Sequence, residues 1–339
     1  MHRRSFVAAL AAAPARPQGN LSMKLGIDLF SIRSQGWSPF EYLDYAAKWK
    51  AQVVHFSEIR FLGSLEEPHL KRVREHATKL GISVEIGMRS ICPTSSSFDP
   101  KQGTVEEQLA RMITAARVIG SPIVRAFVGT MADRAAPGGI EGHIESAARA
   151  LKTARSRAQD AGVRIAIENH AGDMQGRELK TLIEEAGRDF VGACIDSGNP
   201  VWTLEDPHRT LEVLHPYVLT SHVRDSAVWR VPEGIAVRWV RMGEGNVGID
   251  AWVKKFLDLC PGRPLSLEVI VTPQPRIFRY LDPKFWDSYR SVPAWEFSRF
   301  LALAERGQPA PGSGPVPKEQ AATREREDLE ASLAYLQRM

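Results

Sequence analysis

Residues 165–170 read IAIENH, and residues 195–199 read IDSGN. Each stretch is a short apolar run that ends in polar or charged side chains. Two later stretches have the same form, because SHVRD occupies residues 221–225 and SLEV occupies residues 266–269. Apolar runs of about four to eight residues are typical of buried parallel strands. The four stretches therefore predict strands that carry polar groups at their carboxyl ends.

Similar apolar runs occur throughout the chain and alternate with helical patterns. The eight predicted strands cover residues 24–31, 53–58, 83–88, 123–129, 164–169, 191–196, 218–223 and 265–270. Strands that alternate with helices indicate βαβ units and a parallel sheet. We therefore predict an α/β protein with a (β/α)8 TIM barrel. A doubly wound sheet is the alternative, but no glycine fingerprint of a dinucleotide site follows the first strand.

Helix-start and helix-stop signals lie between the predicted strands. Ser38 followed by Pro39 begins one helix, and Thr104 with Glu107 forms a capping box before another. A long Ala-rich helix is predicted over residues 139–161. The remaining predicted helices cover residues 177–186, 205–214, 250–259 and 295–306.

The chain divides into four predicted segments. These are an export signal at residues 1–20, a single barrel domain at residues 21–306, a Pro/Gly linker at residues 307–317 and a helical tail at residues 318–339. In the tail, Leu329, Leu333 and Leu336 share one stripe of the helix, so the tail is expected to dock on the barrel or on a partner subunit.

The first 20 residues resemble a bacterial export signal of the twin-arginine type. Arg3 and Arg4 precede the apolar run 6–13, and alanines offer a cleavage site. This pattern predicts a periplasmic or exported protein. A frayed Ala-rich helix is the alternative, and the protein would then be cytoplasmic.

Two connections, at residues 224–249 and 271–294, are longer than simple βα loops. The second contains Phe278, Tyr280 and Trp286 among other aromatic residues. An aromatic loop of this kind suggests a lid or a subunit contact.

The composition of the 339-residue chain is that of a globular protein. Hydrophobic residues make up 43% and charged residues 25%, the net charge is +4, and there are three cysteines. These values exclude a disulfide-stapled or wholly disordered chain. The sequence has no dense block of Lys and Arg that would predict nucleic-acid binding. It also has no apolar run long enough for membrane insertion.

Four potential metal ligands end four consecutive predicted strands: Glu168, Asp196, His222 and Glu268. The carboxyl ends of barrel strands converge on one face. Each residue alone also suits an ordinary loop or turn, but buried together the three carboxylates would repel one another. A divalent cation would resolve this. Carboxylates with one imidazole suit Mn²⁺ first, with Mg²⁺, Co²⁺ or Zn²⁺ as alternatives.

With the motif MGEGNVGID at residues 242–250, these stretches make residues 23–305 resemble the xylose-isomerase-like TIM barrel superfamily, particularly its sugar phosphate isomerase/epimerase branch. The resemblance implies that Glu168, Asp196, His222 and Glu268 bind a divalent metal. It also implies that Glu168 and Glu268 transfer protons on opposite faces of a bound sugar. A homo-oligomer, either a dimer or a tetramer, is expected as well.

One position departs from the pattern of many members, because Asn199 stands where they have a histidine. Asn can bind a substrate hydroxyl but cannot carry a proton at neutral pH. The further substrate-binding candidates are His170, Arg224, Arg125 and Glu58.

The leading hypothesis is a metal-dependent isomerase or epimerase of a keto-sugar, which forms an enediolate. The alternative is a lyase or dehydratase that acts on a keto-sugar, keto-inositol or keto-glycoside at the same site. An exported sugar-binding protein without activity is a third hypothesis. A DNA-repair endonuclease is disfavoured. That branch of the superfamily uses additional histidines as metal ligands and needs a basic groove, and the sequence has neither those histidines nor a dense stretch of basic residues.

Overall fold

The computed structural model describes residues 23–310, 312 and 314–339. The predicted export signal lies outside the described residues, as do residues 311 and 313 of the predicted linker. The described strands, in chain order, are β1 (Leu25–Asp28), β2 (Val53–Phe56), β3 (Ser83–Ser90), β4 (Ile123–Phe127), β5 (Arg164–Glu168), β6 (Val191–Asp196), β7 (Val218–His222), β8 (Asp225–Val231), β9 (Gly234–Val240), β10 (Leu265–Leu267) and β11 (Arg276–Phe278).

Eight parallel strands form a nearly closed barrel in the order β10-β1-β2-β3-β4-β5-β6-β7. The last gap is bridged at Val223 and Leu267. There the Val223 amide donates to the Ser266 carbonyl at 2.8 Å, and the Glu268 amide donates to the Val223 carbonyl at 3.1 Å. The predicted TIM barrel is confirmed, and its eight strands coincide with the eight predicted apolar runs.

Helices surround the barrel. The α-helices are α1 (Pro39–Lys48), α2 (Ile59–Leu62), α3 (Glu67–Lys79), α4 (Val105–Ile119), α5 (Met131–Arg134), α6 (Gly139–Ala161), α7 (Gly176–Ala186), α8 (Pro207–Leu214), α9 (Ile249–Leu259), α10 (Ala294–Arg306) and α11 (Lys318–Leu336). Short 3₁₀ helices cover Leu29–Ile32, Pro100–Gln102, Asn199–Thr203, His215–Tyr217 and Pro283–Ser288. Within the part of the chain that the structure describes, none of the helices has the length and apolarity needed to cross a bilayer.

Local signals account for where several helices begin and end. Ser38 and Glu41 form a capping box at α1, and Thr104 and Glu107 form one at α4. Gly162 ends α6 in the left-handed conformation, with φ of 65°. Helix α3 has no counterpart among the predicted helices. Its 13 residues bury only a narrow apolar stripe, so the helical periodicity is weak.

The long connection at residues 224–249 contains regular structure. Strands β8 and β9 form an antiparallel hairpin, paired from Asp225 with Val240 to Val231 with Gly234. Strand β11 pairs with the other edge of β9. The resulting three-stranded sheet stands beside the barrel and provides a rigid wall next to the ends of β6 and β7.

The aromatic residues of the segment 271–294 form a second hydrophobic core. Phe278 and Tyr289 are buried there together with Phe300 of α10. The Phe285 ring stacks on Tyr289 with 5.1 Å between the ring centroids. Most of this aromatic surface is therefore covered by the chain itself, as part of the packing between α10 and the hairpin.

Helix α11 docks on the barrel. Leu329, Leu333 and Leu336 are buried and belong to the main core. The Met242 amide donates to the Ser332 hydroxyl at 3.2 Å. The Tyr335 hydroxyl donates to Asp250 at 2.6 Å. Of the two docking sites expected for the tail, the barrel of the same chain is the one observed.

Candidate metal centre

The barrel brings the four predicted metal ligands together. Glu168, Asp196 and His222 are the last residues of β5, β6 and β7, and Glu268 directly follows β10. All four are buried, and one ligand atom from each lies within 4.8 Å of the others. Because side chains alternate along a strand, each terminal polar group points into the barrel while its neighbours pack outside.

One nitrogen of the His222 imidazole is close to both glutamates. Its Nδ1 atom is 3.0 Å from Glu168 Oε2 and 3.1 Å from Glu268 Oε2. This nitrogen is buried and makes no hydrogen bond with the described residues. On Asp196, Oδ1 accepts hydrogen bonds from the amides of Gly198 at 2.6 Å and Asn199 at 2.7 Å. These bonds fix the carboxylate so that Oδ2 faces the cluster.

Two buried arginines bind the same carboxylates. Arg125 Nε donates to Glu168 Oε2 at 2.6 Å. Arg224 Nη2 forms short contacts with both Asp196 Oδ2 and Glu268 Oε2. The guanidinium groups therefore neutralise part of the negative charge of the cluster, and the cluster is held together by ion pairs.

The pKa values of Glu168 and Asp196 are shifted in opposite directions from their usual values. Burial would raise the pKa of Glu168, but Arg125 and His222 outweigh it and hold that pKa well below its usual value. Burial and the two neighbouring glutamates raise the pKa of Asp196 to about 7 despite its contact with Arg224. Glu168 is thus held as an anion, whereas Asp196 readily takes up a proton.

A second set of polar residues supports the far side of the His222 ring. His222 Nε2 is 3.0 Å from His55 Nδ1 and 3.3 Å from Asp28 Oδ2. Asp28 is fixed in turn, because its Oδ1 accepts from the Phe30 amide at 2.8 Å and from the Ser57 hydroxyl at 3.0 Å. Partners of this kind set the tautomer and the orientation of a metal-binding histidine.

Neither Asp28 nor His55 was among the predicted site residues. Asp28 is the last residue of β1, and its partner in the strand register is His55 of β2. Burial lowers the pKa of His55 to about 3, so its ring is neutral. The signal that could have identified Asp28 is the one used for the other ligands, namely a carboxylate at the carboxyl end of a barrel strand.

The remaining substrate-binding candidates differ in whether they lie in the cluster. Asn199 Nδ2 donates to Glu168 Oε1 at 2.9 Å, so Asn199 belongs to the cluster. His170 contacts the Gly129 carbonyl through Nδ1 at 2.9 Å and stacks on Phe127 at 4.1 Å. The structure does not bring Glu58 into the cluster: its side chain is 24% exposed and pairs with Arg60. Because it follows β2 and turns toward solvent, Glu58 lines a separate cavity of about 580 Å³.

The hairpin adds an aromatic wall that the sequence did not predict. The Arg224 guanidinium lies over the Trp239 ring, 4.5 Å from its centroid. Trp239 is fixed because its indole nitrogen donates to the Gly198 carbonyl at 2.9 Å. Trp202 packs against Trp239 with 4.6 Å between the centroids. Aromatic faces beside a polar cluster are typical of small-molecule sites.

The donor set fits a hard divalent cation. It combines three carboxylates with an imidazole nitrogen that has no hydrogen-bond partner among the described residues. Oxygen-rich sets with one imidazole suit Mn²⁺ and Mg²⁺, and Zn²⁺ and Co²⁺ accept them as well. Glu168, Asp196, His222 and Glu268 are the residues that would hold the ion.

The xylose isomerase-like TIM barrel family matches residues 43–281, which is more than half of the chain. The chain belongs to this family. The family resemblance inferred from the strand-end motifs is thereby confirmed. Its solved relatives include sugar epimerases and isomerases, and its curated relatives include a decarboxylase.

Three similar proteins illustrate this range. The 3-oxo-isoapionate decarboxylase of Pectobacterium atrosepticum is 22% identical over 211 residues, which cover 62% of this chain and 69% of that protein. The D-psicose 3-epimerase of Clostridium cellulolyticum H10, solved with D-tagatose, has a TM-score of 0.59 and 12% identity, covering 91% of this chain and 99% of that chain. The IOLI protein with a bound zinc atom has a TM-score of 0.57 and 14% identity, covering 92% and 99%. Likeness at this level of identity establishes the fold.

Proposed function

We propose that this protein is a divalent-metal-dependent isomerase or epimerase of a keto-sugar, with Mn²⁺ as the preferred ion. The observation that carries the proposal is the convergence of Glu168 and Glu268 on His222, at 3.0 and 3.1 Å from its Nδ1 atom. Two carboxylates that come to one point from different strands are proposed to reach one substrate from two directions.

In the proposed reaction, one glutamate removes the proton next to the substrate carbonyl, and the other returns a proton to the opposite face or to the adjacent carbon. The bound cation would stabilise the negative charge that develops on the enediolate oxygens. A positioned acid or base typically contributes about 10²–10⁴-fold to the rate. Arg125 and His222 hold the pKa of Glu168 well below its usual value, so Glu168 enters the proposed reaction as a carboxylate.

The remaining residues would orient the reacting groups. Asn199 and Arg125 fix the two oxygens of Glu168, at 2.9 and 2.6 Å. His55 and Asp28 fix the ring of His222 from the other side. His170 is the group proposed to contact the sugar itself.

The proposal is tested by hydrogen exchange in heavy water. The Mn²⁺-loaded protein is incubated with D-psicose, D-tagatose and D-fructose, and the sugars are analysed by NMR for deuterium and for conversion. Wild type is expected to incorporate deuterium at the carbon next to the carbonyl, and Glu268→Gln is expected to lose this activity by about 10²-fold or more. Glu205→Gln is the matched control, because Glu205 is a buried glutamate outside the cluster. Full turnover by Glu268→Gln on a sugar that wild type converts would contradict the assignment.

A lyase is the second candidate, and similarity to 3-oxo-isoapionate decarboxylase favours it. The same proton transfers at the same site could accompany loss of water, an aglycone or carbon dioxide. Mass analysis of the products separates the two, since an isomerase conserves the mass of the substrate and a lyase does not.

The metal and the cellular location are proposals of their own. Elemental analysis of wild type beside a Glu168→Ala/Asp196→Ala double variant should find about one Mn, Mg, Co or Zn per chain in wild type only. From the predicted signal at residues 1–20 we propose a periplasmic or exported protein, and such a location would favour a free sugar over a sugar phosphate. Recovery of the uncleaved chain from the cytoplasm would contradict this location.

A further inference from the structure

Arg224 occupies a slot that the chain builds for its guanidinium group. The residue is only 2% exposed. One face of the group lies on Trp239. Gly198 leaves room for the stem of the side chain, because a Cβ atom there would lie 2.2 Å from Arg224 Cγ. Because a glycine leaves room for this buried arginine beside the cluster, we infer that the Arg224 side chain has a role in the site.

The guanidinium competes with a cation for the same atoms. Arg224 Nη2 contacts Asp196 Oδ2 and Glu268 Oε2, which are oxygens of two proposed metal ligands. Arg224 Nε is buried and makes no hydrogen bond with the described residues. When a cation takes the two carboxylates, the arginine loses both partners while it stays buried. An unpaired buried charge is strongly unfavourable, so a new anionic partner is needed.

We propose that Arg224 binds a carboxylate group of the substrate, so that the substrates are keto-acids of sugars. This inference rests on the proposed metal-dependent function. The Nε and Nη2 atoms form one edge of the guanidinium, and two parallel N–H donors match the two oxygens of a carboxylate. Displacement from Asp196 and Glu268 frees Nη2, and Nε has no partner to give up. Both donors of this edge are therefore available to a substrate carboxylate only in the metal-loaded protein.

A carboxylate fits this slot better than a phosphate. One guanidinium edge matches a group with a single charge and two oxygens. The other arginine of the cluster, Arg125, is engaged with Glu168 and with the Met88 carbonyl at 3.4 Å. A phosphate dianion would therefore have one arginine edge for two charges and three oxygens.

The test compares ligands that differ only at the first carbon. Calorimetry with the Mn²⁺-loaded protein measures the Kd of 2-keto-D-gluconate, D-fructose and D-fructose 1-phosphate. Wild type is expected to bind 2-keto-D-gluconate about tenfold or more tightly than D-fructose, as a charge-assisted bidentate pair would give. Arg224→Gln should bring the ratio of the two Kd values close to one, and Arg224→Lys should keep part of it. Arg134→Gln should leave the ratio unchanged, because Arg134 is a buried arginine paired with Glu178 outside the cluster.

Metal affinity gives an independent measurement. Removal of the competing guanidinium should raise the affinity of Arg224→Gln for Mn²⁺ above that of wild type, measured by electron paramagnetic resonance of the free ion. If wild type binds Mn²⁺ but does not distinguish 2-keto-D-gluconate from D-fructose, or if Arg224→Gln keeps the preference, the carboxylate assignment is wrong and the metal site stands. Tighter binding of D-fructose 1-phosphate would also overturn the assignment. If wild type binds no Mn²⁺, the proposed function itself fails.

Discussion

The clearest prediction separates the metal-binding role of the cluster from its role in stability. We compare Glu168→Gln with Asp196→Asn in protein freed of metal with EDTA at pH 6. Both substitutions replace a buried carboxylate of the proposed ligand set by its amide. The structure predicts that they affect the free energy of unfolding very differently, because only one of the two carboxylates is held fully ionised at this pH.

The magnitude for Glu168→Gln follows from the pairing of Arg125. The guanidinium is 6% exposed, and its other acceptor is the Met88 carbonyl at 3.4 Å. Removal of one partner of a buried ion pair costs about 3–5 kcal/mol. An unfolding entropy of about 2.1 cal/mol/K per residue makes each kcal/mol equal to about 1.4 °C of Tm in a chain of 339 residues, so the variant should melt roughly 4–7 °C below wild type.

Asp196→Asn should be much less costly at pH 6. The pKa of Asp196 is raised to about 7, so at pH 6 most molecules carry a neutral acid there. The amide keeps an oxygen that can accept from the Gly198 and Asn199 amides. Replacing a neutral hydrogen-bonding group by another of the same shape costs about 1 kcal/mol or less.

Urea unfolding followed by circular dichroism measures both variants. With Mn²⁺ at about 100 times its Kd, wild type should gain about 2.7 kcal/mol, and both variants should lose most of that gain. If metal-free Glu168→Gln is as stable as Asp196→Asn at pH 6, the account of the Arg125 ion pair is wrong.

Two further predictions concern the scaffold. Burial raises the pKa of Glu205 from 4.5 to about 7, so the folded state holds its proton more tightly and Glu205 lowers stability as the pH rises above 4.5; Glu205→Gln should therefore be stabilising at pH 8, by up to about 3 kcal/mol, and not at pH 4. Glu212→Gln is the control of opposite sign, since Arg299 and Lys255 overcome burial and lower the pKa of Glu212 to about 2. Urea midpoints at pH 8 that shift in the same direction for both variants would contradict these pKa shifts. Leu333→Ala should cost about 2–5 kcal/mol because Leu333 of α11 is fully buried in the barrel core, whereas a loss below 1 kcal/mol would show that α11 does not contribute to the fold.

The barrel and the clustering of the four strand-end residues were predictable because both depend on local sequence patterns. Each strand is a continuous apolar run, and Glu168, Asp196 and His222 each end such a run. In a parallel barrel, residues at the carboxyl ends of the strands all lie on the same face. A one-dimensional pattern therefore gave a three-dimensional cluster without knowledge of any contact between strands.

The hairpin and the support of His222 could not be predicted in the same way. Strands β8 and β9 carry apolar runs, but they follow a barrel strand where a helix is expected, so their pairing depends on context. His55 lies inside the apolar run of β2 rather than at its end, and its contact with His222 joins residues 167 positions apart in the chain. Register places these groups together, and register is a property of the closed barrel.

The ion pairs depend on which charged residues are buried together, and the sequence alone does not show this. Four carboxylates and two arginines are buried around His222: Asp28, Glu168, Asp196, Glu268, Arg125 and Arg224. With these four carboxylates ionised and His222 neutral, as a metal ligand must be, the arginines leave two negative charges unbalanced. A proton on Asp196 removes one of these, and a divalent cation would remove both. Unbalanced charge on buried carboxylates favours a divalent cation at the cluster, and Arg224 reduces the repulsion between Asp196 and Glu268 until the ion binds.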